Sequence, residues 1–392
     1  MKQPVAARMD RLGSESAFEV LGRARALEAQ GVDIIHLEIG EPDFDTPEHV
    51  VEAGIKALRD GATHYGPPAG IPALREAVAA DVSASRGVAV GPDQVVITPG
   101  GKPVMFFSIL AAIEPGDEVL LPDPGFPIYA SLVNFVGGVP VPLALREKRD
   151  FRLDLDELAG KLTPRSRMLI LNSPHNPCGS VLTAEDLGAI ADLVRGRDLL
   201  VLSDEIYSRM TYGTPHHSIA AEPGMIDQTI ILDGFSKTYA MTGWRLGYGV
   251  FPGRMAERIA LLMTNSNSCT ATFTQLAGVA ALTGPQEPVA AMMAEFAGRR
   301  ALVVDGLNRI PGWSCRLPGG AFYAFPSVRA LGGDSRRLAD YFLNRGGVAL
   351  LSGNGFGAAG EGYLRLSYAN SRQNLQQALD RLTAATAQRP AW

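Results

Sequence analysis

Lys237 stands in the run Gly234-Phe235-Ser236-Lys237-Thr238-Tyr239-Ala240-Met241-Thr242-Gly243-Trp244-Arg245-Leu246-Gly247, with Arg245 eight positions further on. The preceding Thr229 to Leu232 is β-branched and apolar and ends in Asp233 and Gly234. That pattern reads as a buried strand stopping at a turn. A lysine crowded at such a strand end is desolvated, its pKa falls, and the neutral amine becomes available. A neutral amine can form a Schiff base with an aldehyde. An arginine can hold a phosphate through two parallel hydrogen bonds. An aldehyde and a phosphate on one small molecule suggest pyridoxal phosphate (PLP). Taken alone, Lys237 and Arg245 read as surface cations beside a glycine turn. Other strand ends reverse that reading.

Gly100-Gly101-Lys102 opens a helix after the strand Val95 to Thr98, and free backbone amides at a helix start suit a phosphate. Asn172-Ser173-Pro174-His175-Asn176-Pro177-Cys178-Gly179 is an irregular loop after an apolar run. It presents Asn176 as an amide donor, although a lone asparagine is more simply a turn former. Leu199 to Leu202 runs into Ser203-Asp204-Glu205-Ile206-Tyr207. A carboxylate at Asp204 could keep a pyridine nitrogen protonated, and Tyr207 could donate to the phenolate oxygen of the same ring. Ser236, beside Lys237, adds a phosphate donor.

The elements that must position these residues follow from hydrophobic periodicity. Helices are expected at 14–30, 48–60, 72–85, 102–113, 183–195, 285–310 and 372–384. Strands are expected at 33–39, 95–98, 118–121, 167–172, 199–203 and 229–232, with short ones near 322–325, 348–351 and 363–366. Continuously apolar strands alternating with helices indicate a parallel sheet covered on both faces. In such sheets ligands bind at the strand ends.

The totals describe an ordinary globular chain: 392 residues, 46% hydrophobic, 20% charged, net charge −5. Nothing in that balance favours nucleic acid or an anionic membrane. Cys178, Cys269 and Cys315 have neither metal spacing nor a disulfide framework, so no metal is expected and free thiols in the cytoplasm are. No apolar segment at Met1–Asp10 resembles a signal peptide, and no run is long enough to span a membrane.

The ordered set of phosphate turn, Asn loop, Asp-x-x-Tyr, Lys and Arg resembles the fold-type I PLP enzymes, specifically the class I aminotransferases near aspartate aminotransferase. Residues 234–247 are similar to that family's lysine-attachment signature, and Asn172 to Gly179 to its Asn-Pro-Thr-Gly loop, with Cys178 where threonine is usual. Gly40 to Phe44 and Tyr65 to Gly70 resemble two further family segments, so the likeness covers about residues 14–385. It implies an α/β fold with a large domain at 46–289, built on a mostly parallel seven-stranded sheet, and a smaller α/β domain of 1–45 with 290–392.

By the same resemblance Lys237 carries PLP and moves a proton between substrate and cofactor. Asp204 pairs with the pyridine nitrogen, while Tyr207 and Asn176 address the phenolate oxygen. Phe126 stacks on the ring where many relatives carry tryptophan. Gly100, Gly101, Lys102, Ser236 and Arg245 hold the phosphate. Tyr65 reaches the phosphate of a neighbouring subunit, which implies a homodimer with shared active sites. Arg365 binds the substrate α-carboxylate, assisted by Asn176 and the Gly40 backbone.

The reaction implied is ping-pong transamination between an L-amino acid and a 2-oxo acid. Glutamate/2-oxoglutarate is expected as one pair, and aspartate, alanine or another neutral amino acid as the other. In one bacterial branch of the family a lysine at the Lys102 position reaches the distal carboxylate of an acidic substrate. Against that, Ala17-Phe18-Glu19 falls where that branch carries small hydroxyl residues. Phe18 would favour a neutral side chain, and Glu19 would repel a carboxylate or neutralise Lys102. A PLP-dependent lyase on the same fold is the alternative. A PLP-fold regulator without turnover is more remote.

Overall fold

The computed structural model describes residues 5–389; the extreme ends of the expected small domain, 1–4 and 390–392, lie outside them, as does the start of the Met1–Asp10 segment. The first strand, β1 (Ile35–His36), is shorter than the expected 33–39, because its ladder partner β10 (Val348–Ala349) is itself two residues long and Leu37 turns its carbonyl to the Ser367 amide. The main sheet has seven strands. In chain order these are β2 (Val95–Thr98), β3 (Glu118–Asp123), β4 (Val139–Ala144), β5 (Ser166–Asn172), β6 (Leu200–Asp204), β7 (Thr229–Gly234) and β8 (Gly247–Val250). Their spatial order is β2-β8-β7-β6-β5-β3-β4. All neighbours are parallel except β8, which is antiparallel to both β2 and β7.

The continuous apolar runs follow from burial on both faces. Along β5, Met168 and Ile170 pack into one apolar cluster while Leu169 and Leu171 pack into another on the opposite face. Strand β7 splits likewise, Ile230 and Leu232 to one side and Ile231 to the other. Successive side chains of a strand point to opposite faces, so both sets must be apolar when helices cover both.

Two strands of this sheet were not apparent in the sequence. Strand β4, Val-Pro-Val-Pro-Leu-Ala, lies at the sheet edge, where proline's missing N–H costs no ladder bond. Strand β8, Gly-Tyr-Gly-Val, lacks a side-chain pattern because its glycines serve close backbone approach: a Cβ on Gly247 would overlap the Gly100 carbonyl carbon. Helices at Met255–Ser266, Thr272–Thr283 and Ser335–Gly346 were also not expected.

The remaining strands are short: β9 (Tyr323–Ala324), β10 (Val348–Ala349), β11 (Leu351–Ser352) and β12 (Leu364–Ser367). The expected single strand 348–351 is divided, since β10 pairs with β1 while β11 pairs with β12. A separate apolar cluster forms here from Ile35 and Leu37, the long helix Glu287–Leu307, and the final helix Arg372–Ala387. Tyr207 and Met210, just past β6, join it. Among the described residues no helix is long and apolar enough to cross a membrane.

Candidate active site

Sheet register puts the chemistry-bearing ends side by side. Asn172 pairs with Asp204, and Asp204 with Leu232 on β7. Gly234 and Thr98 both pair with Gly247. Between these strand ends and the short strands lies a cavity of about 470 Å³. Lys237, Ser236, Arg245, Asp204 and Tyr207 line it, together with Asn176, Phe126, Gly101 and Lys102. Arg365, Gly40 and Phe18 complete the expected set there. Gly100 and Tyr65 are not among its walls. Gly100 sits behind Arg245, where an added Cβ would overlap the guanidinium, and Tyr65 is 89% exposed.

Lys237 reaches its position from the turn after β7, and its Nζ donates to the Gly40 carbonyl at 2.5 Å. Burial pushes its pKa down to about 8, against the opposing pull of Glu41. Asp204 is buried at the end of β6. Its Oδ2 accepts from the Tyr129 hydroxyl at 2.5 Å and its Oδ1 from the Ile206 amide at 3.3 Å. Burial raises its pKa to about 6, opposed by those two hydrogen bonds. A buried acid with this desolvation cost is suited to a cationic partner such as a protonated ring nitrogen.

Arg245 has φ of +55°, a left-handed conformation that costs a non-glycine residue about 1–3 kcal/mol. That turn brings its guanidinium against Gly100, with Nη1 donating to the Thr242 carbonyl at 2.8 Å. No carboxylate among the described residues forms an ion pair with it. The helix Lys102–Ala112 begins at this point. An unpaired guanidinium facing a helix N-terminus is a ready anion site. The residues therefore fit PLP at each of its polar groups: amine for aldehyde, acid for ring nitrogen, guanidinium and helix start for phosphate.

Arg365, on β12, is 4% exposed. Its Nη1 donates to Asn176 Oδ1 at 3.2 Å and its Nη2 to the Glu38 carbonyl, while Nε has no partner. The guanidinium lies 4.5 Å from the Tyr323 ring centroid. Burial lowers its pKa. A buried guanidinium without a carboxylate partner is costly unless an anion from outside completes it.

Sequence reasoning missed several residues of this site. Tyr129 and Tyr323 read locally as core tyrosines, yet one bonds Asp204 and the other meets the Tyr207 hydroxyl at 2.7 Å. The acid expected opposite Lys102 was Glu19. It is exposed on the helix Ser16–Glu28, and the carboxylate that ion-pairs with Lys102 is Glu15. Glu19 lies four positions after Glu15, inside the helix, whereas Glu15 precedes it with extended backbone. Behind the site, Arg86 bonds Glu205 and Asp233, the latter also accepting from Ser208.

The family of class I and II aminotransferases matches residues 32–382 of this sequence. The chain belongs to that family. The aminotransferase is 42% identical over 359 residues to aromatic-amino-acid aminotransferase 2 of Thermococcus litoralis, covering 90% of this chain and 92% of that one. It is 41% identical to the aspartate aminotransferase of Pyrococcus abyssi, covering 89% and 91%. The crystal structure of the aspartate aminotransferase from Rhizobium meliloti superimposes with a TM-score of 0.94 at 35% identity, covering 99% of each chain. The fold is therefore fold type I, and the aminotransferase uses pyridoxal phosphate for transamination.

Proposed function

We propose that this aminotransferase carries an amino group between an L-amino acid and a 2-oxo acid in two half-reactions, with glutamate/2-oxoglutarate as one pair. The observation that carries this reading is that the half-buried Lys237 and the buried Arg365, two cations without carboxylate partners among the described residues, face one cavity. An α-amino acid has an amine for the first position and a carboxylate for the second.

PLP bound through Lys237 supplies an electron sink for a bond to the substrate α-carbon. With the cofactor in place, the Lys237 amine would stand to take and carry the substrate α-proton, a role suited to a pKa of about 8. Asp204, its carboxylate fixed by Tyr129, would keep the proton on the pyridine nitrogen. Tyr207 and Asn176 would address the phenolate oxygen. Phe126 would offer its face to the ring, and Gly101, the Lys102 amide, Ser236 and Arg245 would hold the phosphate. Arg365 orients the α-carboxylate, held in place by Asn176 and the Glu38 carbonyl.

Arg365→Gln is expected to lower kcat/KM for every amino acid donor by about 10²–10³-fold, since two charge-assisted hydrogen bonds are lost. Steady-state kinetics with three unrelated donors would check this, and a loss confined to one donor would count against the α-carboxylate role.

The division into residues 46–289 and 1–45 with 290–392 is supported by the separate apolar cluster of the chain's outer parts, with Tyr207 and Met210 crossing the seam. A homodimer is supported by Tyr65, which is exposed and remote from its own chain's cavity. Sedimentation at the mass of two chains is expected; a fully active single chain would overturn the shared-site reading. Three free cysteines fit a cytoplasmic location.

A further inference from the structure

Glu15 immediately precedes the helix Ser16–Glu28, at the position where a short polar side chain commonly caps a helix. Its carboxylate caps no amide and is turned instead onto Lys102. Both residues line the active cavity. Glu15 is the less accessible partner, its side chain 16% exposed against 50% for Lys102. The Lys102 ammonium lies 5.9 Å from the Phe18 ring centroid and 5.7 Å from that of Phe126.

The charges of the cavity can be assigned in turn. Arg245 is committed to phosphate, Lys237 and Asp204 to the cofactor ring system, and Arg365 to the α-carboxylate. Lys102 and Glu15 then neutralise each other, and Glu41, accepting from Thr242, adds a further negative charge. Among the described cavity residues Lys102 is then the one cation left for a second carboxylate on the substrate, and Glu15 already occupies it. The apolar faces of Phe18 and Phe126 are left for a neutral side chain.

We propose that Glu15 is a specificity determinant: it occupies Lys102 and so penalises substrates with a distal carboxylate relative to those with neutral side chains. A distal carboxylate can use Lys102 only by displacing Glu15, and the displaced carboxylate then remains as a like charge beside it. The inference rests on the transamination reading and adds a residue to it. For a partly exposed pair the penalty is about threefold to fivefold in kcat/KM.

The test compares aspartate with phenylalanine as donors, each with 2-oxoglutarate, in the PLP-loaded enzyme. Glu15→Gln is expected to raise the aspartate-to-phenylalanine ratio of kcat/KM by about fivefold. Adding Lys102→Ala to that variant is expected to remove the gain. A ratio that stays within twofold of the native one in an active Glu15→Gln enzyme overturns the proposal, as does a gain that survives loss of Lys102. A binding measurement that needs no turnover stands beside it. Succinate and 3-phenylpropionate are titrated against the bound-cofactor absorbance, and the succinate affinity is expected to rise selectively. Glu15→Ala serves the same purpose if the glutamine variant fails to fold. Absence of turnover by the native enzyme with every donor would instead strike the transamination reading, while the titration would still report on Glu15.

Discussion

Replacing Lys237 with alanine is expected to reduce transamination by at least about 10⁴-fold, because one side chain supplies both the covalent anchor and the proton carrier. Arg245, Ser236 and Asp204 remain, so PLP should still bind, with the absorbance of free rather than lysine-linked cofactor. Burial gives the native amine a further property. At a pKa of about 8, roughly a tenth of it is neutral at pH 7, against about one part in three thousand for an ordinary lysine. The rate of covalent attachment to cofactor-free protein should therefore rise with pH and level off just above 8, whereas an exposed lysine would continue to gain beyond 10. Stopped-flow absorbance between pH 6 and about 10 reads this directly. An alanine variant that keeps a hundredth of the native rate would remove Lys237 from the chemistry.

Arg86→Ala is expected to cost about 3–5 kcal/mol of stability, because it leaves two carboxylates uncompensated in the interior. Arg86 donates from Nε to Glu205 at 3.0 Å and from Nη2 to Asp233, all three groups being buried. Glu205 also accepts from Ser203 at 2.9 Å and Ser218 at 2.5 Å and meets His216 at 3.0 Å. Burial alone would raise the Glu205 pKa. His216, Arg86 and the Ser218 hydroxyl outweigh burial and hold it at about 2, below its usual 4.5. A folded-state pKa below the unfolded one means stability that is present above pH 4.5 and lost as pH falls towards 2. Removing Arg86 should shrink that contribution and raise the pH at which it is fully lost. A lower urea midpoint with an unchanged slope, and acid unfolding at higher pH, are the expected readings. A stability change below about 1 kcal/mol would show that the carboxylates find other partners.

Lys237 lines the site and Arg86 lies behind it, and they differ in how they could be seen. Lys237 is announced by its neighbours: an apolar strand, a turn, a serine and an arginine within one short segment. Asp204 and the Asn172–Gly179 loop are legible for the same reason, each following a run whose period identifies a buried strand. Arg86 sits on a helix 119 residues from Glu205 and 147 from Asp233, and nothing local marks it. Tyr129 and Asp204 are 75 residues apart, and Lys102 and Glu15 are 87 apart.

The sequence by itself determined the chemistry available, the cofactor it suits and the strand ends that carry it, because periodicity and turn residues are local properties of the chain. Tertiary structure decided which groups meet. The order β2-β8-β7-β6-β5-β3-β4 brings distant loops to one cavity. It also decided that Glu15 rather than Glu19 faces Lys102, since Glu15 lies in the extended backbone just before the helix while Glu19 is exposed on the helix itself. Ion pairs and hydrogen bonds act over a few ångströms of space, and separation along the chain does not say which groups will share it.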